Sequence, residues 1–335
     1  MNDARATDER SLADAVRRGD RRALARAITL VESSRPDHRR KAEVLLDALL
    51  PGNATAIRLG ITGVPGVGKS TFIEAFGLHA IGQGHRVAVL AIDPSSRRGG
   101  GSILGDKTRM ADLARHEAAF IRPSPASGTL GGVARRTRET MLLCEAAGFD
   151  FVIVETVGIG QSETAVADMV DMFLLLLLPG GGDELQGIKK GVVELADLIL
   201  VNKSDGDLAD AARRAVGDYR NALRLLRPAS PSWTPEVAAV SALTHKGIDM
   251  VWKTALRHRA ALEASGELGQ RRAEQARAAL WAEIGEVLLE HLRASPAVAE
   301  RLPAIEQAVM AGEAAPSVAA RRLLAAFLGS ADEQS

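Results

Sequence analysis

The pattern of apolar positions divides the chain into three zones. From about Ser11 to Leu50 they recur at helical spacing: Leu12, Ala15 and Val16, then Leu24, Ala25, Ile28 and Val31, then Leu45, Leu46 and Leu49. Asp20 stands where a helix N-cap would, just before Arg21, and Pro51-Gly52-Asn53 breaks the run. From Ile57 to about Ala264, short apolar runs alternate with helical stretches. The runs Ile57–Thr62, Arg86–Ile92, Ala119–Arg122, Phe151–Val154, Met172–Leu178, Leu198–Val201 and Val237–Val240 predict strands. Strands alternating with helices predict a doubly wound, mainly parallel α/β sheet, which binds ligands at the carboxyl ends of its strands. From Gln270 to Ser335 the chain turns Ala-, Arg- and Glu-rich. Ala273, Ala276, Leu280, Ile284, Val287, Leu288 and Leu292 line one helical face before Pro296, and two helices follow around Ala299–Ala311 and Ser317–Leu328. That stripe needs a partner surface: it either docks back on the sheet domain or serves as a homodimer arm. The expected division is an N-terminal helical extension over 1–54, a sheet domain over 55–266 and a C-terminal helical dimerisation arm over 267–335.

Composition narrows the function by exclusion. Lys+Arg and Asp+Glu each number 42, so no broad basic field is available for nucleic acid. The one cysteine, Cys144, excludes an internal disulfide framework, fits a reducing cytoplasm and reads as a small buried residue on a helix. The polar, acid-bearing start from Met1 to Arg22 predicts neither a secretory signal nor a mitochondrial leader. The longest aliphatic block, Phe173 to Leu178, falls far short of the ~20 residues of a membrane helix and reads as a buried parallel strand. A cytoplasmic protein with no membrane segment is expected.

Three motifs carry the chemistry. Gly63-Val64-Pro65-Gly66-Val67-Gly68-Lys69-Ser70, continuing into Thr71, matches the P-loop pattern directly after a strand and at the opening of a helix. Its glycines turn backbone N–H groups onto phosphates, Lys69 reaches the β- and γ-phosphates, and the Ser70 hydroxyl ligates Mg2+. The second motif, Glu155-Thr156-Val157-Gly158, ends an apolar strand with an acid near the metal and a glycine amide near the γ-phosphate. Glu155 is one methylene longer than the usual Asp, so contact through a metal-bound water is expected. After Gly158, where small GTPases carry a water-orienting Gln, this chain has Ile159, which predicts slow intrinsic hydrolysis unless a partner or another segment of the chain completes the site. The third motif, Asn202-Lys203-Ser204-Asp205, selects the base. The Asp205 carboxylate accepts from guanine N1–H and the 2-amino group, donors that adenine lacks. Lys203 lays its stem along the base, Asn202 ties this loop to the phosphate loop, and a backbone amide of Ser241-Ala242-Leu243 meets guanine O6. The expected substrate is therefore GTP, with GDP as product.

Two glycine-rich stretches look functional. Asp93-Pro94-Ser95-Ser96 ends a strand, and a run with four glycines leads to Asp106-Lys107-Thr108-Arg109. Asp93 and Asp106 stand where Mg2+ or its waters could be met, and a turn or helix-cap role is open to each. Pro179 to Lys190 follows the Leu-rich strand and could bring Asp183, Gln186 or Lys189 to the nucleotide; a helix start capped by Asp183 is the alternative.

With these segments in place, the chain resembles the MeaB/ArgK-type P-loop GTPases, bacterial counterparts of the methylmalonic-aciduria type A protein. The resemblance spans about Ile57 to Gly247 and, in outline, the helical flanks. Its marks are the segments 64–71, 93–96, 100–110, 155–158, 181–189 and 202–205. It implies a homodimeric GTPase that chaperones adenosylcobalamin-dependent methylmalonyl-CoA mutase, gating cofactor loading and protecting or reactivating the mutase. By position it implies Asp93, Asp106 and Glu155 around the metal, and Gly180–Lys190 as an extra switch that senses the mutase, with Lys189 as the coupling residue. Two other functions compete. A nickel- or metal-insertion GTPase of the same superfamily usually needs His- or Cys-rich ligands, whereas this chain has 7 scattered His and one Cys. A phosphotransferase linked to amino-acid transport would place the γ-phosphate on an acceptor rather than release it.

Overall fold

Side-chain alternation assigns each strand residue to one of two faces, and here both faces are apolar. The computed structural model describes residues 2–50, 55–93, 110–125, 130–156, 162–180, 190–226 and 228–332, in two compact units, 1–275 and 276–335. In the larger unit the strands are β1 (Ile57–Gly63), β2 (Val87–Asp93), β3 (Ala119–Pro125), β4 (Phe151–Thr156), β5 (Met172–Leu177), β6 (Leu198–Val201) and β7 (Glu236–Ala239). They form one sheet in the order β3-β2-β4-β1-β5-β6-β7, and every neighbouring pair is parallel. All the runs read as strands are present. Strand β3 continues to Pro125 because it stays paired with β2 as far as Asp93. Strand β7 starts one residue early, at Glu236, whose N–H donates to Asp197 O at the head of β6.

Helices α4 (Lys69–Gly82), α5 (Ala111–Arg115) and α10 (Ile248–Ala264) cover one face, over Leu59, Ile61, Ile153, Leu174 and Leu176. The opposite face carries Leu90, Val152, Val154, Phe173, Leu175 and Leu177. It packs under α2 (Arg21–Glu32), α3 (Pro36–Leu49), α6 (Leu130–Ala146), α7 (Ser162–Ala167), α8 (Lys190–Leu195) and α9 (Ala209–Leu223). Alternate residues of β5 thus serve opposite cores, so a strand buried on both sides reads as an unbroken aliphatic run. Cys144 lies on α6, fully buried, and burial pushes its thiol up.

The N-terminal helices belong to the larger unit. Helix α1 (Asn2–Arg17) begins well before Ser11, in a charged stretch without apolar period, and reaches the core through Ala13 and Val16. Asp20 caps α2: its Oδ1 accepts from Arg22 N at 2.8 Å and Ala23 N at 3.0 Å. Those bonds, Ala23's foremost, hold the carboxyl below its ordinary value.

Helix α11 (Glu267–Ala294) starts against the amino ends of the strands, away from the phosphate loop. Arg272 grips Asp171 with Nε on Oδ1 at 2.8 Å and Nη2 on Oδ2 at 2.6 Å, and Nη2 also donates to Ala56 O at 2.7 Å. Asp171 Oδ2 accepts from Arg58 N at 2.9 Å as well. The smaller unit holds the rest of α11 with α12 (Pro296–Met310) and α13 (Pro316–Asp332), where Val298 and Ala319 are buried. Leu280, Trp281, Ile284, Leu288 and Leu289 of α11 are exposed. Among the described residues no helix is long and apolar enough to cross a membrane.

Candidate functional site

Parallel strands end together, so the carboxyl ends of β1, β4, β5 and β6 lie along one edge of the sheet. After β1 the chain turns through Gly63 to Gly68 and enters α4 at Lys69. Gly68 has φ +94°, and a Cβ there would lie 2.9 Å from Asn202 Nδ2. Only glycine serves both the left-handed backbone and that close approach. The Lys69 ammonium lies over the loop, donating to Gly63 O at 2.8 Å and Val64 O at 3.4 Å. Burial depresses the Lys69 pKa, and the Glu155 carboxylate partly opposes that shift. Ser70 and Thr71 follow in the first turn of α4, with Ser70 half-buried. Glu155 is buried at the end of β4, in register with Ile61 of β1 and Ala91 of β2.

The Asn-Lys-x-Asp segment is tied to this loop by its first two side chains. Asn202 is buried; its Nδ2 donates to Val67 O at 2.8 Å, and its Oδ1 accepts from Ala242 N at 3.0 Å. One amide thereby joins the phosphate loop, the end of β6 and the segment Ser241-Ala242-Leu243. Lys203 sits at φ +58° and donates from Nζ to Gly66 O at 2.9 Å, so its stem crosses the loop. Asp205 follows, half-buried, with extended backbone before a 3-10 turn over Gly206–Leu208. Ser241 is fully buried, its N–H donates to Lys246 O at 2.9 Å and its Oγ accepts from Thr244 N at 3.2 Å, while Leu243 stands exposed. Lys69, Glu155, Asn202, Lys203 and Asp205 are therefore brought to one edge from segments far apart in sequence.

Not every candidate is placed. Asp93 closes β2, and only its backbone is described. Asp106, Gly158, Ile159, Asp183, Gln186 and Lys189 lie outside the described residues. Among the described residues no group of three or more His, Cys, Asp or Glu side chains could hold a metal ion. One feature of the site went unread in the sequence: Thr156 Oγ1 donates to Thr62 Oγ1 at 2.7 Å, with both side chains fully buried. The available signal was position, since Thr62 precedes the phosphate loop and Thr156 follows Glu155.

Comparison with known proteins agrees with this geometry. The family model described as methylmalonyl-CoA mutase-associated GTPase MeaB matches residues 24–297. A putative GTPase of Caulobacter vibrioides is 62% identical over 309 residues, covering 92% of this chain and 94% of that protein. The mitochondrial methylmalonic aciduria type A homolog of Mus musculus is 51% identical over 320 residues, covering 92% of this chain and 77% of that protein. A crystal structure described as a LAO/AO transport system kinase superposes with a TM-score of 0.76 at 43% identity, covering 100% of this chain and 99% of its own.

Proposed function

Because this chain belongs to the MeaB family of methylmalonyl-CoA mutase-associated GTPases, we propose that it couples GTP hydrolysis to chaperoning an adenosylcobalamin-dependent methylmalonyl-CoA mutase, gating cofactor loading and protecting or reactivating that enzyme. One observation supports the guanine part: Asn202 and Lys203 fasten the Asn-Lys-x-Asp segment onto the phosphate loop at 2.8 and 2.9 Å, tying the stretch that carries Asp205 to the loop that leads into Lys69. In this reading the loop amides and Lys69 bind the β- and γ-phosphates, and Asp205 accepts the two guanine-edge hydrogens.

The described donors suit Mg2+. Ser70 and Glu155 offer hard oxygens, and a small cation that keeps its waters and shares substrate phosphates needs few protein ligands. Bound there, the ion would neutralise charge developing on the phosphate oxygens. Glu155 would hold it through a water and Ser70 directly, with Asp93 and Asp106 as further acids and Gly158 donating to the γ-phosphate. Asp183, Gln186 and Lys189 would complete the site when the mutase docks, Lys189 transmitting its presence. The exposed apolar face of α11 suits a second copy of the chain, and sedimentation at micromolar concentration tests for the homodimer.

The mutase partnership is tested by GTP turnover alone and with purified methylmalonyl-CoA mutase. Acceleration is expected, and it should vanish in Lys189→Ala while nucleotide affinity stays intact. Unchanged turnover across several cobalamin mutases would overturn the partnership. The kinase description of the structural neighbour keeps a phosphotransferase in view; label from γ-phosphate appearing on an acceptor instead of as free phosphate would favour it.

A further inference from the structure

We propose that Thr62 and Thr156 are positioning residues, their buried hydroxyl bridge fixing the gap between the phosphate loop and the strand end that carries Glu155. The inference rests on the GTPase reading above and concerns the metal side of that site.

The ladder between β1 and β4 runs from Ile57–Phe151 to Ile61–Glu155. One residue further on that pairing stops, while the flanking ladders continue: Thr62 stays in register with Leu175 of β5, and Thr156 with Ile92 of β2. The ladder between β1 and β4 thus ends before its flanking ladders do, a division that opens at Thr62 and Thr156. The 2.7 Å bond from Thr156 Oγ1 to Thr62 Oγ1 crosses that division. Both threonines share the face of Val152 and Val154, opposite the face on which Glu155 follows Ile153. Neither hydroxyl shares the face of the Glu155 carboxylate; they act on it through the backbone.

Chemistry favours a positioning role over simple packing. Strands β1 and β4 are buried throughout and otherwise mostly apolar at these positions. Valine has the shape of threonine, and a Val–Val pair would fill the same space without setting a distance. Two hydroxyls shielded from water are directional, and each penalises loss of the other. A carboxylate meant to reach a metal-bound water tolerates little drift, since an error near 1 Å can cost about a hundredfold in rate.

The test uses the full-length chain and the variants Thr156→Val, Thr156→Ser, Thr62→Val and the double valine. Two readouts are taken: kcat and KM for GTP, and the free Mg2+ concentration at which a fluorescent GDP is half-retained. Thr156→Val should keep KM within about threefold, lower kcat at least about tenfold and raise the Mg2+ half-point several-fold. Thr156→Ser should restore both, Thr62→Val should reproduce the defect, and the double should be no worse than either single. Should Thr156→Val fail to fold, Thr62→Val carries the same prediction. Wild-type kcat and Mg2+ half-point in either valine variant, a serine variant as impaired as valine, or additive losses in the double would overturn the proposal. If the wild-type chain held ATP as tightly as GTP, the GTPase reading would fail, yet the same comparison with the preferred nucleotide would still decide the role of the threonines.

Discussion

Replacing Asn202 with Ala should weaken GDP binding far more than it weakens the fold. Its amide satisfies Val67 O at 2.8 Å and Ala242 N at 3.0 Å, and Val67, Asn202 and Ala242 are all buried. Removing it leaves two buried backbone groups unpaired, each costing about 1–3 kcal/mol. Water can reach a relaxed surface loop, so the lower half of the sum applies, about 2–4 kcal/mol. The free protein can avoid that cost by letting the loops part, whereas bound nucleotide requires them together. The loss therefore appears in affinity, as about a 30- to 1000-fold weaker Kd, with a change in unfolding free energy below about 1 kcal/mol. Fluorescent GDP titration and urea unfolding measure the two separately. Lys203→Ala is the control: its contact with Gly66 O is exposed and should cost about tenfold at most. GDP affinity within threefold of wild type, or a loss seen in stability alone, would refute the account of Asn202 as the tie between the loops.

Other outcomes follow from the charges. Lys69 has a folded-state pKa below its unfolded value, so between the two values the unfolded chain binds more protons and stability rises with pH; thermal midpoints of nucleotide-free protein from pH 8 to 10 should rise more in wild type than in Lys69→Met. Arg272→Ala strands the buried Asp171 carboxylate with Arg58 N as its remaining described charge-independent donor and should cost about 3–5 kcal/mol in urea unfolding; Arg272→Lys should recover only part, because one ammonium cannot span both carboxylate oxygens and Ala56 O. Asp20, lowered mainly by the Ala23 amide, stabilises α2 above its ordinary pKa and loses that contribution as pH falls through its folded value. Asp20→Asn keeps a capping oxygen, so the difference in urea midpoint between it and wild type should shrink as pH falls from 5 to 2.

The sheet was legible because each strand is a local statement. Leu174 and Leu176 face one core, Phe173 and Leu175 the other, and the aliphatic run between loops announces burial on both sides. Asp20 was readable as a cap since its partners lie two and three residues on. Long-range polar pairs were not readable. Thr62 meets Thr156, and Arg272 meets Asp171, only through strand order and register, which a linear pattern does not encode. The start of α1 was missed because the sequence before Ser11 carries no apolar period. The phosphate-loop and base-reading motifs stood out because their spacing is itself the geometry: a strand end, a glycine turn and a helix start within about ten residues.

The most direct measurement is competition between GTP and ATP for the wild-type chain and for Asp205→Asn, read by displacement of fluorescent GDP. Wild type should prefer GTP by at least about a thousandfold, and the Asn variant should lose most of that preference while its phosphate loop stays intact. Equal affinity for the two nucleotides, or a preference untouched by the substitution, would contradict the assignment of this chain's base-reading carboxylate.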